Sequence, residues 1–287
     1  MSPLLSGYDI FADAEKRVYA VGAFNTVNLE ISRAIHEAAK IEKSPFILAS
    51  TGGAIKYAGA ENIACIARNL NEEYGTKNSL HLDHGPDFAT VKVCRQAGYT
   101  SFMFDGSKHP LEENIKLTRQ VRDFLGVGAW QLEGEIGRLV GTEDEISVAE
   151  REAFFTDPDE AVRFARETRV DSLAISIGNA HGLYKGEPKL DFERLKVIKK
   201  RTNLPIVLHG ASGLTDDDLR QAIELGVRKI NFDTDLRVAF REGLESYLKG
   251  NPGQFDIRHY MKAAMEKVTE TVIHKMKVLG SSGKAAG

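Results

Sequence analysis

Three histidines, His84, His181 and His209, stand at or just beyond the ends of short β-branched runs. Imidazole nitrogen suits a borderline ion such as Zn2+, and three such ligands beside one open position describe a catalytic zinc site. The three lie on different strand–helix units, so their spacing says nothing of a metal, and each taken singly reads as a structural histidine. What joins them is the company at the other strand ends: Asn25, Ser50, Asp83, Asp105, Glu133, Glu135, Asn231 and Asp233. A rim so rich in ligand and acid/base types is where an α/β barrel keeps its chemistry. His81, two residues before Asp83, reads as an inward structural or supporting residue. His36, His109, His259 and His274 read as helix or loop surface positions.

Two further loops suggest an anion site. Gly210-Ala211-Ser212-Gly213 leads into a helix that Thr215 would cap, and Asn231-Phe232-Asp233-Thr234 also opens a helix. Small residues let an anion approach the backbone N–H groups at helix starts. Either loop alone is as well explained as a turn; the pair, after strands seven and eight, falls where barrels hold phosphate.

The elements that must position these groups follow from hydrophobic period. Candidate strands run over 18–24, 45–49, 79–83, 101–105, 130–135, 172–175, 205–209 and 229–233, separated by amphipathic helical patterns. Asp157 with Pro158 and Glu160 starts one helix in capping-box form, and Thr215 starts another whose inner face is Leu219, Ala222 and Ile223. Leu236, Phe240, Leu244 and Leu248 recur at i+4 until Gly250-Asn251-Pro252-Gly253, and a last helix spans about 256–279 with Tyr260, Ala264, Val268 and Val272 on one stripe. Strict β-then-α alternation implies parallel strands, and eight units close a single-domain (β/α)8 TIM barrel over 1–280, leaving 281–287 as a flexible tail. The connections at 136–155 and 176–189 are long, polar and Gly-rich, as functional lids are. The competing fold is an open doubly wound sheet, against which the missing G-x-G-x-x-G after the first strand counts.

Composition narrows the function classes. The chain has 287 residues, 38 Lys plus Arg against 41 Asp plus Glu, and a net charge of −3, so no bulk positive field would draw nucleic acid or an anionic membrane. No stretch nears the roughly 20 apolar residues of a membrane span, and the first residues lack a secretory pattern, which points to a cytoplasmic protein. Cys65 and Cys94, each in an apolar-periodic stretch, read as buried reduced thiols rather than a disulfide or a zinc pair.

With those residues in view, almost the whole chain resembles the class II, metal-dependent ketose-bisphosphate aldolases. The resemblance is carried in order by His81-Leu82-Asp83-His84-Gly85, Leu132-Glu133-Gly134-Glu135-Ile136-Gly137, Gly178-Asn179-Ala180-His181-Gly182, Leu208-His209-Gly210-Ala211-Ser212-Gly213 and Lys229-Ile230-Asn231-Phe232-Asp233-Thr234. It implies a (β/α)8 barrel, a homodimer or homotetramer, and reversible cleavage of a ketose 1,6-bisphosphate to dihydroxyacetone phosphate and glyceraldehyde 3-phosphate. His84, His181 and His209 match the catalytic zinc ligands, and Asp83 the acid/base at the aldehyde carbonyl. Asp105 and Glu135 resemble carboxylates of a second or alternate metal position. Glu143 resembles the mobile-loop acid that moves the carbon-bound proton. Gly182, Gly210, Ser212, Asn231, Asp233 and Thr234 match the phosphate cradle, with Lys185 adding charge and Asn25 and Ser50 facing the substrate. Arg258 resembles the arginine that grips the distal phosphate, reaching toward a neighbouring subunit. A monovalent cation, Na+ or K+, accompanies the cradle in that family. One departure is Val140, where the family has a residue of lower steric demand. The resemblance favours fructose over tagatose bisphosphate through Asn231-Phe232-Asp233-Thr234-Asp235. The rivals are a tagatose-bisphosphate aldolase, a non-catalytic phosphosugar-binding subunit on the same scaffold, and a Schiff-base aldolase, against which it counts that Lys229, the only lysine placed on a strand near the site, stands at that strand's entry end, away from the chemistry.

Overall fold

Runs rich in β-branched, aromatic and small apolar residues form the barrel strands β1 (Val21–Asn25), β2 (Phe46–Thr51), β3 (Asn78–Gly85), β4 (Ser101–Phe104) and β5 (Gln131–Ile136). A computed structural model describes residues 4–137, 140–141, 155–181 and 188–285, with the backbone alone at 140, 141 and 181. The two-residue strand β6 (Val140–Gly141) lies off the barrel, paired in parallel with β8 (Ala180–His181). The barrel resumes with β7 (Ser172–Ile175) and closes through β9 (Ile206–Leu208) and β10 (Val227–Phe232). Its order, β1-β10-β9-β7-β5-β4-β3-β2, is a closed ring of eight parallel strands, and the open doubly wound alternative is excluded.

Alternation along each strand sorts the core into two layers. Val21, Ala23, Ile47, Met103, Ala174 and Val207 meet inside the barrel, whereas Phe24, Phe46, Leu48, Leu80 and Phe102 pack outward beneath the helices. The inner layer is closed below by a helix the hydrophobic pattern missed, Gly7–Arg17, which inserts Ile10, Phe11 and Ala14. Ser6 caps it, and it ends with Val18 left-handed at φ 52°, so the expected first strand begins only at Val21.

Asp157 caps its helix by accepting from the backbone N–H of Asp159 and Glu160, without the capping box expected with Glu160, whereas Thr215 with Asp218 forms a full capping box above the buried Leu219, Ala222 and Ile223. Helix Thr234–Gly250 differs: its buried stripe is Leu236, Ala239 and Gly243, with Phe240, Leu244 and Leu248 half-buried. A Cβ on Gly243 would lie 2.7 Å from the Ala263 carbonyl oxygen, so this helix crosses Ile257–Val278 by close backbone approach rather than by a leucine ridge. The tail read as flexible is docked as far as Ala285, through Ser44 Oγ to Ser281 Oγ (2.8 Å) and the backbone bonds of Gly283 to Glu42 and Ala285 to Lys43. His36 is buried rather than superficial, and Cys65 is exposed while Cys94 alone is buried.

Candidate active site

Strand β3 delivers two functional residues at once because its register slips between Leu82 and Gly85. His84 sits in the left-handed region at φ 46°, an uncommon conformation for a non-glycine residue and of the kind stored at functional sites. Gly85 permits the bulge: a Cβ there would lie 2.4 Å from the Met103 carbonyl oxygen. The result brings both Asp83 and His84 to the wall of one cleft of about 110 Å³, with Asn25, Thr51, His209, Gly210, Ser212, Asn231, Asp233 and Thr234.

Asp83 is held from two sides, by Asn25 Nδ2 on Oδ2 (2.8 Å) and Asn231 Nδ2 on Oδ1 (2.9 Å). Burial works against its charge, but the fields of His84, His209 and Lys229 and the Asn25 bond outweigh it and bring its pKa down to about 2. Asp83 is thus an ionised, oriented base.

The imidazoles of His84 and His209 lie with ring centroids 4.5 Å apart, and ligand atoms of Asp83, His84 and His209 fall within 4.8 Å of one another. Each ring is gripped on its far side. His84 Nδ1 donates to Asp105 Oδ2 at 2.9 Å, and His209 Nε2 donates to Glu133 Oε1 at 2.8 Å. Such carboxylate partners fix the tautomer and set the other nitrogen as the lone-pair face. Ser107 supports Asp105 in turn, from its backbone N–H (3.0 Å) and its hydroxyl (2.7 Å). The site as a whole demands positive charge. Burial opposes a proton on His84, yet Asp83, Asp105 and Glu135 push its pKa up to about 10. Burial pushes Glu135 up to about 8, helped by Asp105, Glu133 and Asp83 against His84, while the bonds and charge of His84 hold Asp105 below the usual range against its burial. A cation among neutral imidazoles and carboxylates is what such a donor set accommodates.

His181 joins this rim through its backbone. Asn179 Nδ2 donates to the His209 carbonyl at 3.0 Å, and Gly210, at φ 63°, lies so close to Ala180 that a Cβ would come 2.3 Å from its carbonyl oxygen. The segment carrying His181 is therefore stacked on the one carrying His209. Val140 pairs with Ala180 in the β6–β8 ladder, a setting natural to a β-branched residue.

The profile of the class-II fructose-bisphosphate aldolases matches residues 6–284. The chain belongs to that family. It is 43% identical to a D-tagatose-1,6-bisphosphate aldolase subunit GatY of Klebsiella oxytoca, over 98% of this chain and 99% of the other. It is 41% identical to a fructose-bisphosphate aldolase of Helicobacter pylori strain J99, again over 98% and 99%. Among solved structures it resembles the YdjI aldolase of Escherichia coli K12 (TM-score 0.84, 32% identity, 98% of this chain and 99% of that one). It also resembles the Fba aldolase of Campylobacter jejuni (TM-score 0.83, 25% identity, 98% and 97%).

In this class II aldolase the cleft continues into the two small-residue loops. Gly210 and the buried Ser212 form one wall, and the start of helix Thr234–Gly250 forms the other, where first-turn amides favour an anion. Asp233 accepts from Arg237 Nε at 2.7 Å, and burial raises its pKa despite that charge. Glu143, Gly182 and Lys185 lie outside the described residues.

Two assigned residues are elsewhere. Ser50 faces away from the cleft and shares a 2.7 Å hydrogen bond with the Tyr99 hydroxyl; Thr51, one position on, takes its place, as strand alternation requires. Arg258 is exposed, paired with its own Asp256 at 2.6 Å, and does not line the cleft. Lys229, read as remote at a strand's entry end, is fully buried beside Glu133 and does not line the cleft. Glu133, read as a rim residue, is likewise fully buried and off the cleft wall, and its pairing with Lys229 is what sequence reasoning did not single out. The signal that could have found them is strand phase: Glu133 stands two residues before Glu135, Lys229 two before Asn231 and His81 two before Asp83, so each shares the inward face of its strand with a rim residue. Among the described residues no helix is long and apolar enough to cross a membrane.

Proposed function

We propose that this aldolase reversibly cleaves fructose 1,6-bisphosphate to dihydroxyacetone phosphate and glyceraldehyde 3-phosphate. The observation that carries the reading is Asp83, ionised and clamped by Asn25 and Asn231 beside His84 and His209. In cleavage Asp83 takes the proton of the C4 hydroxyl. The electron pair of the broken O–H bond completes the aldehyde C=O at C4, and the C3–C4 pair remains on C3. In condensation Asp83 returns that proton to the aldehyde oxygen. Because a carboxylate only accepts, both asparagines present Nδ2 to it. Asn25 Oδ1 and Asn231 Oδ1, buried and without a partner among the described residues, are then acceptors for substrate hydroxyls.

Zn2+ on His84, His181 and His209 would supply Lewis acidity for the negative charge that develops on the ketone side. Asp105 and Glu135, whose ligand atoms cluster with those of His84, would offer a second or alternate position. Glu143 is the acid that exchanges the carbon-bound proton. Gly182, Gly210, Ser212, Asn231, Asp233 and Thr234 cradle the ketone-side phosphate with Lys185 and a Na+ or K+ ion, and Arg258 meets the distal phosphate from a neighbouring subunit of a homodimer or homotetramer. The whole barrel, 1–280, acts as one catalytic domain in the cytoplasm.

The tagatose substrate is the second reading, because relatives of both names match at 43% and 41% identity. The resemblance of the Asn231-Phe232-Asp233-Thr234-Asp235 stretch to the fructose-bisphosphate branch favours fructose. A paired assay decides: cleavage of each bisphosphate, coupled to reduction of the released triose phosphate, with zinc measured on the same preparation. A higher kcat/KM for fructose bisphosphate supports the proposal, and a higher value for tagatose bisphosphate reverses it. No cleavage of either by zinc-loaded protein leaves the non-catalytic binding subunit.

A further inference from the structure

The interior of the barrel below the cleft is not apolar throughout. Lys229, Glu133, His81, Ser101, Gln131 and Ser172 are all buried there. Their bonds form one directional line. Lys229 Nζ donates to Glu133 Oε2 at 2.7 Å and to His81 Nε2 at 3.2 Å. His81 Nδ1 then donates to Ser101 Oγ (2.7 Å), Ser101 donates to Gln131 Oε1, and Gln131 Nε2 donates to Ser172 Oγ (2.8 Å). An ammonium can only donate and a carboxylate can only accept, so each proton in the line is assigned without choice. The upper end of the line is the bond from His209 Nε2 to Glu133 Oε1.

We propose that Lys229 is a positioning residue for metal binding: by holding Glu133 Oε2 from below, it aims Oε1 at His209 Nε2 and so turns His209 Nδ1 toward Asp83 and His84. The inference rests on the reading of His209 as a ligand. His209 Nδ1 lies 4.0 Å from Asp83 Oδ1, which places that nitrogen at the mouth while Nε2 is directed into the barrel. Lys229 itself is not among the residues that line the cleft. His81 Nε2, 3.9 Å from Glu133 Oε2, gives the ammonium its second acceptor, and the Ser101–Gln131–Ser172 line anchors His81 to strands β4, β5 and β7. Register supports the arrangement, since His81 is level with Ser101 and Ser101 with Gln131. Partners of this kind, standing behind a metal ligand, typically change metal affinity by about 10–100-fold.

Lys229→Met keeps the length of the stem and removes the charge. Zinc affinity, measured by competition with a chromophoric chelator, is expected to fall about 10–100-fold, and the 15N shifts of the His209 ring should lose their single-tautomer pattern. A purely structural lysine would lower the melting temperature of the metal-free protein yet leave zinc affinity and the ring shifts within twofold of wild type; that result overturns the proposal. Should Lys229→Met fail to fold, the double variant Glu133→Gln/Lys229→Met, which removes both buried charges, takes its place. Because Lys229 acts through Glu133, the double variant is expected to bind zinc as Glu133→Gln alone does, and a further loss of tenfold or more refutes the coupling. His209→Ala separates the underlying reading, for retained zinc affinity there would mean that His209 is no ligand at all.

Discussion

Asn231 places its side-chain amide 2.9 Å from Oδ1 of Asp83, bridging β10 and β3, which are not neighbours in the barrel. Asn25 from β1 completes the clamp on the other oxygen at 2.8 Å. Two donors and the nearby positive field leave Asp83 little freedom of orientation, as a base requires when it must meet one hydroxyl. Asp83→Ala is therefore expected to keep zinc and substrate binding but lose turnover by about 10²–10⁴-fold. Steady-state cleavage on a preparation of known zinc content checks this, and near-normal turnover would remove Asp83 from the role.

Metal dependence gives a second test. A chelator should abolish cleavage and added Zn2+ should restore it, while borohydride with substrate should trap no lysine adduct. The structural reason is Lys229: at 0% exposure and ion-paired to Glu133, it cannot present a free amine to a carbonyl in the cleft. Mass spectrometry of the borohydride-treated protein is the measurement, and a substrate-sized adduct on Lys229 would contradict the metal mechanism.

The rim was legible in the sequence because parallel strands deliver their C-terminal ends to one side. Asp83, His84, His209, Asn231 and Asp233 could thus be gathered from strand ends alone, and they do line one cleft. Ser50 was misplaced because a one-residue error in a strand exchanges its two faces, which is how Thr51 came to hold the position. Lys229 was read as remote because distance along a strand ranks residues by nearness to the mouth, not by what lies beneath them in the interior. His36 was read as exposed because a polar residue on an amphipathic helix ordinarily is; here the helix 29–42 is covered on several sides, and Phe46 meets the ring edge-on at 5.0 Å. The plug helix Gly7–Arg17 had only a serine cap and terminal charges to mark it.

Gly210 carries a prediction about how His181 is placed. Its φ of 63° and the 2.3 Å approach of a would-be Cβ to the Ala180 carbonyl oxygen leave no room for alanine. Gly210→Ala should cost about 2–4 kcal/mol of stability through strain and clash. Displacing the Ala180–His181 segment by ~1 Å should also lower turnover roughly 100-fold. Gly253, where an added methyl would meet no neighbour within 4 Å, serves as the control, and Gly253→Ala should change stability by no more than about 0.5 kcal/mol. Urea midpoints and kcat of the two variants test the contrast; equal behaviour would dissociate Gly210 from the site.

His36 sets a pH dependence that is independent of the cleft. Burial drives its pKa down from 6.5 to about 4, although the Ser32 carbonyl, accepting from Nδ1 at 2.8 Å, works the other way. Between those values the unfolded chain carries the proton and the folded one does not. The stabilisation is therefore complete above pH 6.5, declines as pH falls, and is exhausted below about pH 4. The shift corresponds to about 3 kcal/mol at ~1.4 kcal/mol for each pKa unit. His36→Phe, which keeps a ring against Phe46 and cannot protonate, should flatten the curve between pH 7 and pH 4. Urea unfolding of metal-free wild type and variant across that range isolates the contribution as the difference between the two curves, because the cleft groups titrate alike in both. Parallel curves would mean that His36 is protonated, or hydrated, in the native state.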